Sequence, residues 1–218
     1  MKHRRARTGV YLECFLMKLW HIDSSVLGEN SVSRQLTAGI VAREAALHPG
    51  LEVTYLDLAA APVDHLSPAH IGAMFGHPPA DAATQADIAT GASFLDTLFA
   101  SDVIVIGAPM YNFGVPSQLK AWLDRILVTG KTFKYGENGA PVGLVPAGKK
   151  VIIASSRGGL YTPGNPGAAI EHQESHLIAA LNFIGLTDVS VVRAEGVAVP
   201  DLKPRALANA EAAIAALA

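Results

Sequence analysis

The sequence predicts an α/β domain with a five-stranded parallel sheet, and its pattern of apolar residues supports this prediction. Short runs rich in Val and Ile, such as 102–106, alternate with longer segments whose apolar side chains recur at helical spacing. Half of the 218 residues are hydrophobic, which is enough for one sizeable core. Right-handed crossovers then favour a doubly wound sheet in the order 2-1-3-4-5, with helices on both faces.

The strands and helices follow one another in a regular order. Strands are predicted at 18–23, 51–58, 102–106, 151–155 and 189–193. Helices are predicted from about 33 to 47, 83 to 100, 116 to 127, 167 to 183 and 204 to 217. The segments 59–82 and 130–149 show neither pattern, so we expect an irregular surface excursion and a long loop. This arrangement of elements is typical of flavodoxin-like folds.

Residues 1–16 differ from the rest of the chain, because a basic start is followed by a mostly apolar run. That order resembles a signal peptide, but no small-residue cleavage site precedes Met17, and a later cut would destroy the first strand. We therefore predict that folding begins near Met17. Residues 1–16 are then a disordered tail or follow a misplaced start codon, and 17–218 form the domain.

Composition excludes several classes of function. A net charge of -2 and a pI near 6.4 provide no basic surface for nucleic acid. No apolar run reaches the ~18 residues that span a bilayer, so no membrane contact is predicted. The single cysteine, Cys14, excludes an internal disulfide and fits a reducing, cytoplasmic location. The eight histidines form no metal-binding motif, which disfavours metal catalysis.

The loop after the first strand is rich in hydroxyl groups, with Ser24, Ser25, Ser31 and Ser33 at or just before a predicted helix start. Free N–H groups, the helix dipole and serine hydroxyls together form an anion site, and phosphate is its natural ligand. The alternative is plain N-capping by Ser31 or Ser33. The loop is neither a Walker A motif nor a G-x-G-x-x-G fingerprint, which favours a monophosphate such as that of FMN.

Two further loops leave carboxyl ends of strands at the same edge of the sheet. The loop after the third strand exposes Met110, Tyr111 and Phe113, which offer a flat apolar face of the kind an isoalloxazine ring needs. The alternative is that these side chains pack against a neighbouring loop. The loop after the fourth strand, 156–159, contains paired glycines whose backbone can approach a ring edge closely. Arg157 either adds positive charge there or pairs with an acid on the surface.

Three motifs together resemble those of the FMN-dependent NADH-azoreductases, which also act as quinone reductases. The likeness covers the chain from about Met17 to its C-terminus. The motifs are Ala108-Pro109-Met110-Tyr111-Asn112-Phe113 with Pro116, Leu119 and Lys120; Thr132-Phe133-Lys134-Tyr135 with Glu137-Asn138-Gly139; and Ser156-Arg157-Gly158-Gly159. Gly136 stands where this family often has Thr, so the match is close but incomplete.

The resemblance implies one FMN per subunit of a homodimer, with NADH as co-substrate and the flavin sites at the subunit interface. It implies FMN contacts from the loops identified above, at Ser25, Ser31, Val32, Ser33, Met110, Tyr111, Asn112, Phe113, Ser156, Arg157, Gly158 and Gly159. Tyr135 and Phe183 match positions where the family places aromatic groups over the flavin. For Phe183, ordinary packing in a helix core is the alternative.

The implied activity is two-electron, ping-pong reduction of quinones and aromatic azo compounds by NADH. No side chain is an obligatory acid or base in this scheme, because the flavin carries the hydride. The sequence leaves two other hypotheses open: a flavodoxin-type FMN electron carrier that does not oxidise NADH directly, and a flavodoxin-like regulator that binds no FMN.

Overall fold

The structure is a computed structural model that describes residues 16–77, 79 and 81–218. The predicted leader, residues 1–16, lies outside these residues except for Leu16. The strands of the described chain are β1 (Lys18–Asp23), β2 (Glu52–Asp57), β3 (Val103–Pro109), β4 (Phe133–Tyr135), β5 (Pro141–Gly143), β6 (Lys150–Arg157) and β7 (Asp188–Glu195). The helices are α1 (Val32–Leu47), α2 (Pro68–Met74), α3 (Ala82–Ala100), α4 (Ser117–Ile126), α5 (Glu174–Phe183) and α6 (Lys203–Ala215).

Five strands form one parallel sheet in the order β2-β1-β3-β6-β7. This is the predicted order 2-1-3-4-5 once the separate β4–β5 hairpin is left out of the numbering, so the prediction is confirmed. The central strand β3 is buried along its whole length, as its run of Val and Ile predicts. Its carboxyl end therefore delivers the next loop from the middle of the sheet.

Alternate residues of the strands enter two separate hydrophobic clusters, as the two-residue period of a strand requires. One cluster joins Trp20 and Ile104 to side chains of α3, α4 and α5, and Trp20 packs edge-on against Trp122 with ring centroids 5.5 Å apart. The other joins Leu19 and Val105 to side chains of α1 and α6. None of the helices in the described chain is long and apolar enough to cross a bilayer.

The expectation that 59–82 is wholly irregular is wrong, because α2 lies within this segment. Pro68 occupies the first turn, where its missing N–H costs nothing. His70 Nδ1 accepts the N–H of Ser67 at 3.2 Å, in the role that Glu or Gln plays in a capping box. Histidine is not the expected residue at that position, so the pattern did not predict a helix start.

The predicted helix from 167 to 183 is also broken. Pro166–Ile170 forms a 3-10 turn, and α5 begins only at Glu174. The carboxylate of Glu171 accepts the N–H groups of Gln173 and Glu174, each at 2.7 Å, and so satisfies backbone groups at the start of α5.

The remaining differences concern the length and nature of strands. The 130–149 segment is not a plain loop, since β4 and β5 pair in it as an antiparallel hairpin. Strand β6 continues two residues beyond its predicted end, because β7 is also longer and pairs with it as far as Arg157 and Glu195. Ser156 and Arg157 are thus strand residues rather than loop residues.

Candidate functional site

Four loops leave the carboxyl ends of β1, β3, β6 and β7 and enclose a cleft of about 280 Å³. Parallel strands end at one edge of the sheet, which is why loops so far apart in sequence meet here. The lining consists of Ser25, Leu27, Asn30, Ser31, Val32, Pro109, Met110, Tyr111, Ser156, Gly158, Val197, Ala198 and Lys203. Seven of the predicted cofactor-binding residues are among them: Ser25, Ser31, Val32, Met110, Tyr111, Ser156 and Gly158.

The four serines of the first loop make different hydrogen bonds within the protein. Ser24 Oγ donates to Gly107 O at 2.6 Å and ties the end of β1 to β3. Ser31 is the N-cap of α1, and its Oγ accepts the N–H of Arg34. Ser33 is fully buried with its hydroxyl 3.0 Å from that of Ser31, so its side chain does not face the cleft. N-capping by Ser31, stated above as the alternative to a phosphate site, therefore occurs, and it leaves the N-terminus of α1 at the cleft.

Arg34, in the first turn of α1, holds the loop after β1 (residues 24–31, the serine loop) in its shape. Its guanidinium donates to the carbonyl of Ser25 at 2.8 Å, to Asp57 Oδ1 at 2.7 Å and to the hydroxyl of Tyr55 at 3.0 Å. The hydrogen bond from Arg34 outweighs burial and lowers the pKa of Asp57, so the carboxylate stays charged. Arg34 is thus committed to the protein rather than to a ligand in the cleft.

Tyr111 connects two of the cleft's loops. Its hydroxyl lies 3.1 Å from Ser25 Oγ and accepts the N–H of Val26 at 3.3 Å. Its backbone N–H and carbonyl both pair with Gly114, which closes a two-residue turn between them. The loop after β3 and the loop after β1 therefore hold each other in place.

The two residues inside that turn, Asn112 and Phe113, have φ angles of 47° and 72°. These are the positive φ values of a type I′ turn, which favours Asn at its first central position and Gly at its second. A left-handed Phe costs about 1–2 kcal/mol. The carbonyl of Phe113 accepts the N–H of His172 at 3.0 Å, and its ring lies edge-on to Tyr161. Asn112 and Phe113 stand exposed beside the cleft and not on its lining.

The end of β6 supplies backbone to the cleft. The carbonyl of Ser156 accepts the N–H of Met110 at 2.8 Å, which fixes the start of the loop after β3. Gly158 borders the cleft, and a Cβ there would lie 3.2 Å from Ala198. Gly159 does not border it and instead packs under the ring of Tyr161. Both glycines thus permit close approach by neighbouring protein groups, but only Gly158 is placed to admit a ligand.

Of the two alternatives stated for Arg157, pairing with an acid is confirmed, but its expected surface location is wrong, because this residue is buried. Its guanidinium lies within salt-bridge distance of three carboxylates, those of Glu171 at 3.1 Å, Glu174 at 2.9 Å and Glu195 at 3.4 Å. Its Nε donates to Gln173 Oε1 at 2.9 Å. A cation so paired adds no free charge to the cleft, and Arg157 does not line it. Its function is to hold the β6 loop to the start of α5.

The same carboxylates have lowered pKa values. Burial disfavours the charged form of Glu174, but hydrogen bonds from Arg193 and Ser155 and the charge of Arg157 together outweigh it and lower the pKa. For Glu195, burial is likewise outweighed by the N–H groups of Tyr161 and Thr162 and by the hydroxyl of Thr162. These ionised carboxylates match the cations that they surround.

The aromatic residues predicted to stack on substrate lie outside the cleft lining of the single chain. Phe133 lies between them, with ring centroids 5.7 Å from Tyr135 and 4.7 Å from Phe183. Phe183 is partly buried and packs against the hydrophobic core, in agreement with the alternative stated for it. Tyr135 is 62% exposed at the end of β4 and is free to contact another molecule.

The sequence reasoning missed the loop after β7, which contributes Val197, Ala198 and Lys203 to the cleft. The strand pattern does indicate this loop, because it also leaves the carboxyl end of a parallel strand and so lies at the same edge of the sheet. No group of three or more His, Cys, Asp or Glu side chains in the described residues could hold a metal ion. The fold and the cleft together define a class, the α/β proteins whose ligand site lies where a 2-1-3 sheet reverses its strand order.

Comparison with known proteins narrows this class. A family model described as "Flavodoxin-like fold" matches residues 17–218. The chain is 53% identical over 203 residues to an FMN-dependent NADH:quinone oxidoreductase of Bradyrhizobium sp. (strain BTAi1), covering 93% of this chain and all of that protein. Two solved structures from Bacillus anthracis are also similar. One is an azoreductase from strain Sterne (TM-score 0.82, 26% identity, 92% of this chain and 97% of that one).

The other is an FMN-dependent NADH-azoreductase from strain Ames Ancestor in complex with FMN (TM-score 0.78, 25% identity, 91% of this chain and 98% of that one). The chain therefore belongs to the FMN-dependent NADH:quinone oxidoreductase family of flavodoxin-like proteins.

Proposed function

We propose that this protein is an FMN-dependent oxidoreductase that uses NADH to reduce quinones and aromatic azo compounds. The observation that carries the proposal is the cleft itself, which joins the N-terminus of α1 to the apolar and backbone groups of the loops after β3 and β6. The names of the related proteins specify the same cofactor and substrates for those proteins.

The phosphate of FMN fits the end of the cleft formed by the serine loop. The N–H groups in the first turn of α1 have no acceptor within the helix, apart from the one that Ser31 Oγ satisfies. They and the helix dipole favour an anion at this position. Ser25, Ser31, Val32 and Ser33 are the proposed phosphate residues, with Ser33 contributing through its backbone because its hydroxyl is turned to Ser31.

The ring of FMN fits the other end. Pro109, Met110 and Val197 provide an apolar wall, and the backbone around Ser156 and Gly158 provides polar groups for a ring edge. The remaining predicted contacts, Tyr111, Asn112, Phe113, Arg157 and Gly159, are proposed to shape these loops, by the contacts described above. Side-chain contact of Arg157 with the flavin is not part of the proposal.

Bound FMN would supply the redox chemistry, taking a hydride from NADH and giving two electrons to the oxidant. The protein would bind FMN and the two reactants and orient them relative to one another. No carboxylate or histidine of the described chain lines the cleft, so none is positioned there as an obligatory acid or base. A single cleft for both reactants predicts that NADH and the oxidant occupy it in turn, which gives ping-pong kinetics.

Stopped-flow mixing of the yellow holoprotein with NADH tests the proposal. Rapid bleaching of the flavin absorbance, followed by its return when a quinone or an azo dye is added, is the expected result. A flavin that stays oxidised in NADH would favour the flavodoxin-type electron carrier instead. Parallel lines in double-reciprocal plots against the second substrate would support the ping-pong scheme, and intersecting lines would reject it.

We also infer a homodimer with one FMN per subunit and with aromatic side chains of the partner near each cleft. The exposed rings of Tyr135, 62% exposed, and Phe75, 77% exposed, support an interface, because apolar groups left in water forgo their burial energy. Light scattering on the full-length protein should give twice the 22.8 kDa chain mass. A monomer with full activity would contradict this inference.

Two finer points of the fold are inferred in the same way. The two hydrophobic clusters, one with α3–α5 and one with α1 and α6, support a doubly wound sheet covered by helices on both faces. The match of the family model to 17–218 supports a domain that begins near Met17. The cytoplasmic location stays a prediction.

A further inference from the structure

The cleft contains a single charged group: Lys203 is the only charged side chain among the described residues that line it. A flavin phosphate carries negative charge, and the serine loop offers it only neutral hydroxyl and N–H groups. Arg34 lies nearby but donates to Ser25, Tyr55 and Asp57, and it borders a different cavity that is lined by residues of β1, β2 and α1. Beyond the dipole and N–H groups of α1, Lys203 is thus the only side chain of the described lining that can offer a phosphate a full positive charge.

The topology brings Lys203 to the correct end of the molecule. Helix α1 follows β1 and α6 follows β7, and because both strands are parallel members of one sheet, both helices begin at the same edge. The two helices pack side by side, with a Cβ on Gly39 placed only 3.1 Å from the end of the Ile214 side chain. Lys203 is the first residue of α6, so its side chain starts beside the N-terminus of α1.

Helix energetics do not account for a lysine at this position. The positive end of a helix dipole favours acidic residues in the first turn, and α6 has none there. Its N-cap, Leu202, makes no side-chain hydrogen bond, and Lys203 and Arg205 add two cations to the same turn. Lys203 is exposed and forms none of the ion pairs found in the described residues. Its placement is unfavourable for the isolated helix and favourable for a bound anion.

We propose that Lys203 is a phosphate-recognising residue, which makes the cleft select the phosphorylated flavin over the same ring without phosphate. The inference rests on the proposed function, because it assumes FMN in the cleft. Lys203 acts by charge on the phosphate and takes no part in the redox step. Arg205, two residues further along α6, lines a separate cavity with Leu160 and Asn209 and has no such role.

Titration of full-length protein with FMN and with riboflavin tests this proposal. Lys203→Gln should weaken FMN binding about fivefold at low salt, the upper range for an exposed ion pair, and leave riboflavin binding unchanged. The difference should shrink at high salt, because ions screen exposed charges. Lys203→Arg should keep the preference for FMN, and Arg205→Gln is the matched control, since it removes a charge from the same helix turn outside the cleft.

The outcomes separate the two proposals. If wild-type protein binds FMN and is bleached by NADH, but Lys203→Gln leaves the ratio of FMN to riboflavin affinity unchanged, the role of Lys203 is wrong and the oxidoreductase proposal stands. A raised KM for NADH with unchanged FMN affinity would also overturn it, by assigning Lys203 to the co-substrate. Failure of the wild-type protein to bind FMN would overturn both. Thermal unfolding of the apoprotein excludes misfolding, because loss of a cation from a helix N-terminus should not lower its stability.

Discussion

The hydroxyl of Tyr111 lies 3.1 Å from Ser25 Oγ and accepts the N–H of Val26, so one side chain joins the loop after β3 to the loop after β1. In the proposed site, these loops hold opposite ends of the same ligand. Their relative position therefore depends on hydrogen bonds that a single oxygen atom makes.

Tyr111→Phe removes that oxygen and keeps the ring. We expect FMN to bind about 3- to 10-fold more weakly, since each lost hydrogen bond is worth about 0.5–1.5 kcal/mol. Tyr111→Ala should weaken retention further, because the apolar surface is lost as well. Ser25→Ala and the Tyr111→Phe/Ser25→Ala double variant complete a double-mutant cycle, in which flavin fluorescence measures the FMN affinity of each protein. Strictly additive losses in that cycle would show that the Tyr111–Ser25 contact does not contribute to binding.

The left-handed turn makes a second prediction. Asn112 has a φ of 47°, which glycine adopts freely and a β-branched residue does not. Asn112→Val should lower the free energy of unfolding by about 1–3 kcal/mol relative to Asn112→Gly. Urea unfolding of the apoproteins measures this difference. Equal stabilities would mean that the turn changes conformation readily and does not impose its shape on the loop.

The buried ionic cluster around Arg157 should make stability depend on pH at the acid end. The pKa of Glu174 lies below its ordinary value of 4.5, so the unfolded chain binds its proton more readily than the folded chain does. The stabilisation is thus present above pH 4.5 and is lost as the pH falls through the lower, folded-state pKa. Glu195 acts in the same direction.

Glu174→Gln should therefore cost about 1–3 kcal/mol at neutral pH and progressively less in acid. Denaturant unfolding measured across the acid range checks this. Glu211→Gln, on the exposed side of α6, is the control and should track the wild type. Parallel curves for wild type and Glu174→Gln over the whole range would contradict the assignment.

The β4–β5 hairpin, which carries Tyr135, leaves no room for a side chain at Gly143. A Cβ there would lie 2.5 Å from the carbonyl carbon of Ile184 and closer still to the amide nitrogen of Gly185, and both atoms are backbone. Gly143→Ala should displace the hairpin and cost about 1–3 kcal/mol.

Gly136→Ala, in the same hairpin, is the matched control for this variant. Its Cβ would meet the Val142 side chain at 3.4 Å and the Ala140 carbonyl oxygen at 3.6 Å, both ordinary contacts, and its φ is negative. Thermal unfolding should separate the two variants clearly. A stable Gly143→Ala protein with unchanged substrate kinetics would show that the hairpin position is not important.

The sheet could be predicted from the sequence, because strand order follows from local hydrophobic periodicity and the handedness of crossovers. Helix starts that depend on a hydrogen bond from one particular side chain could not be predicted in that way. The start of helix α2 is capped by His70, its third residue, and the break before α5 depends on Glu171, whose carboxylate accepts backbone N–H groups. Neither residue is a usual helix signal at that position.

The candidate site could be located, but not all of its residues could be assigned. Ser25, Met110 and Tyr111 belong to loops that the strand pattern places at one edge, and they do line the cleft. The burial of Arg157 depends on Glu171 and Glu195, which are distant in sequence and carry no local pattern that marks them as partners. Lys203 carries no signal in the sequence, because a lone lysine is usually a solvated surface residue.

The turn at Asn112 and Phe113 has a thermodynamic consequence for binding. Its shape is set by two pairs of backbone groups and by the hydrogen bond between His172 and Phe113, all of which form when the chain folds. The conformational entropy of this turn is therefore lost when the chain folds. Binding of a ligand then does not have to order the turn, so this entropy loss does not weaken the binding free energy. A calorimetric titration with FMN should show a correspondingly small entropic penalty.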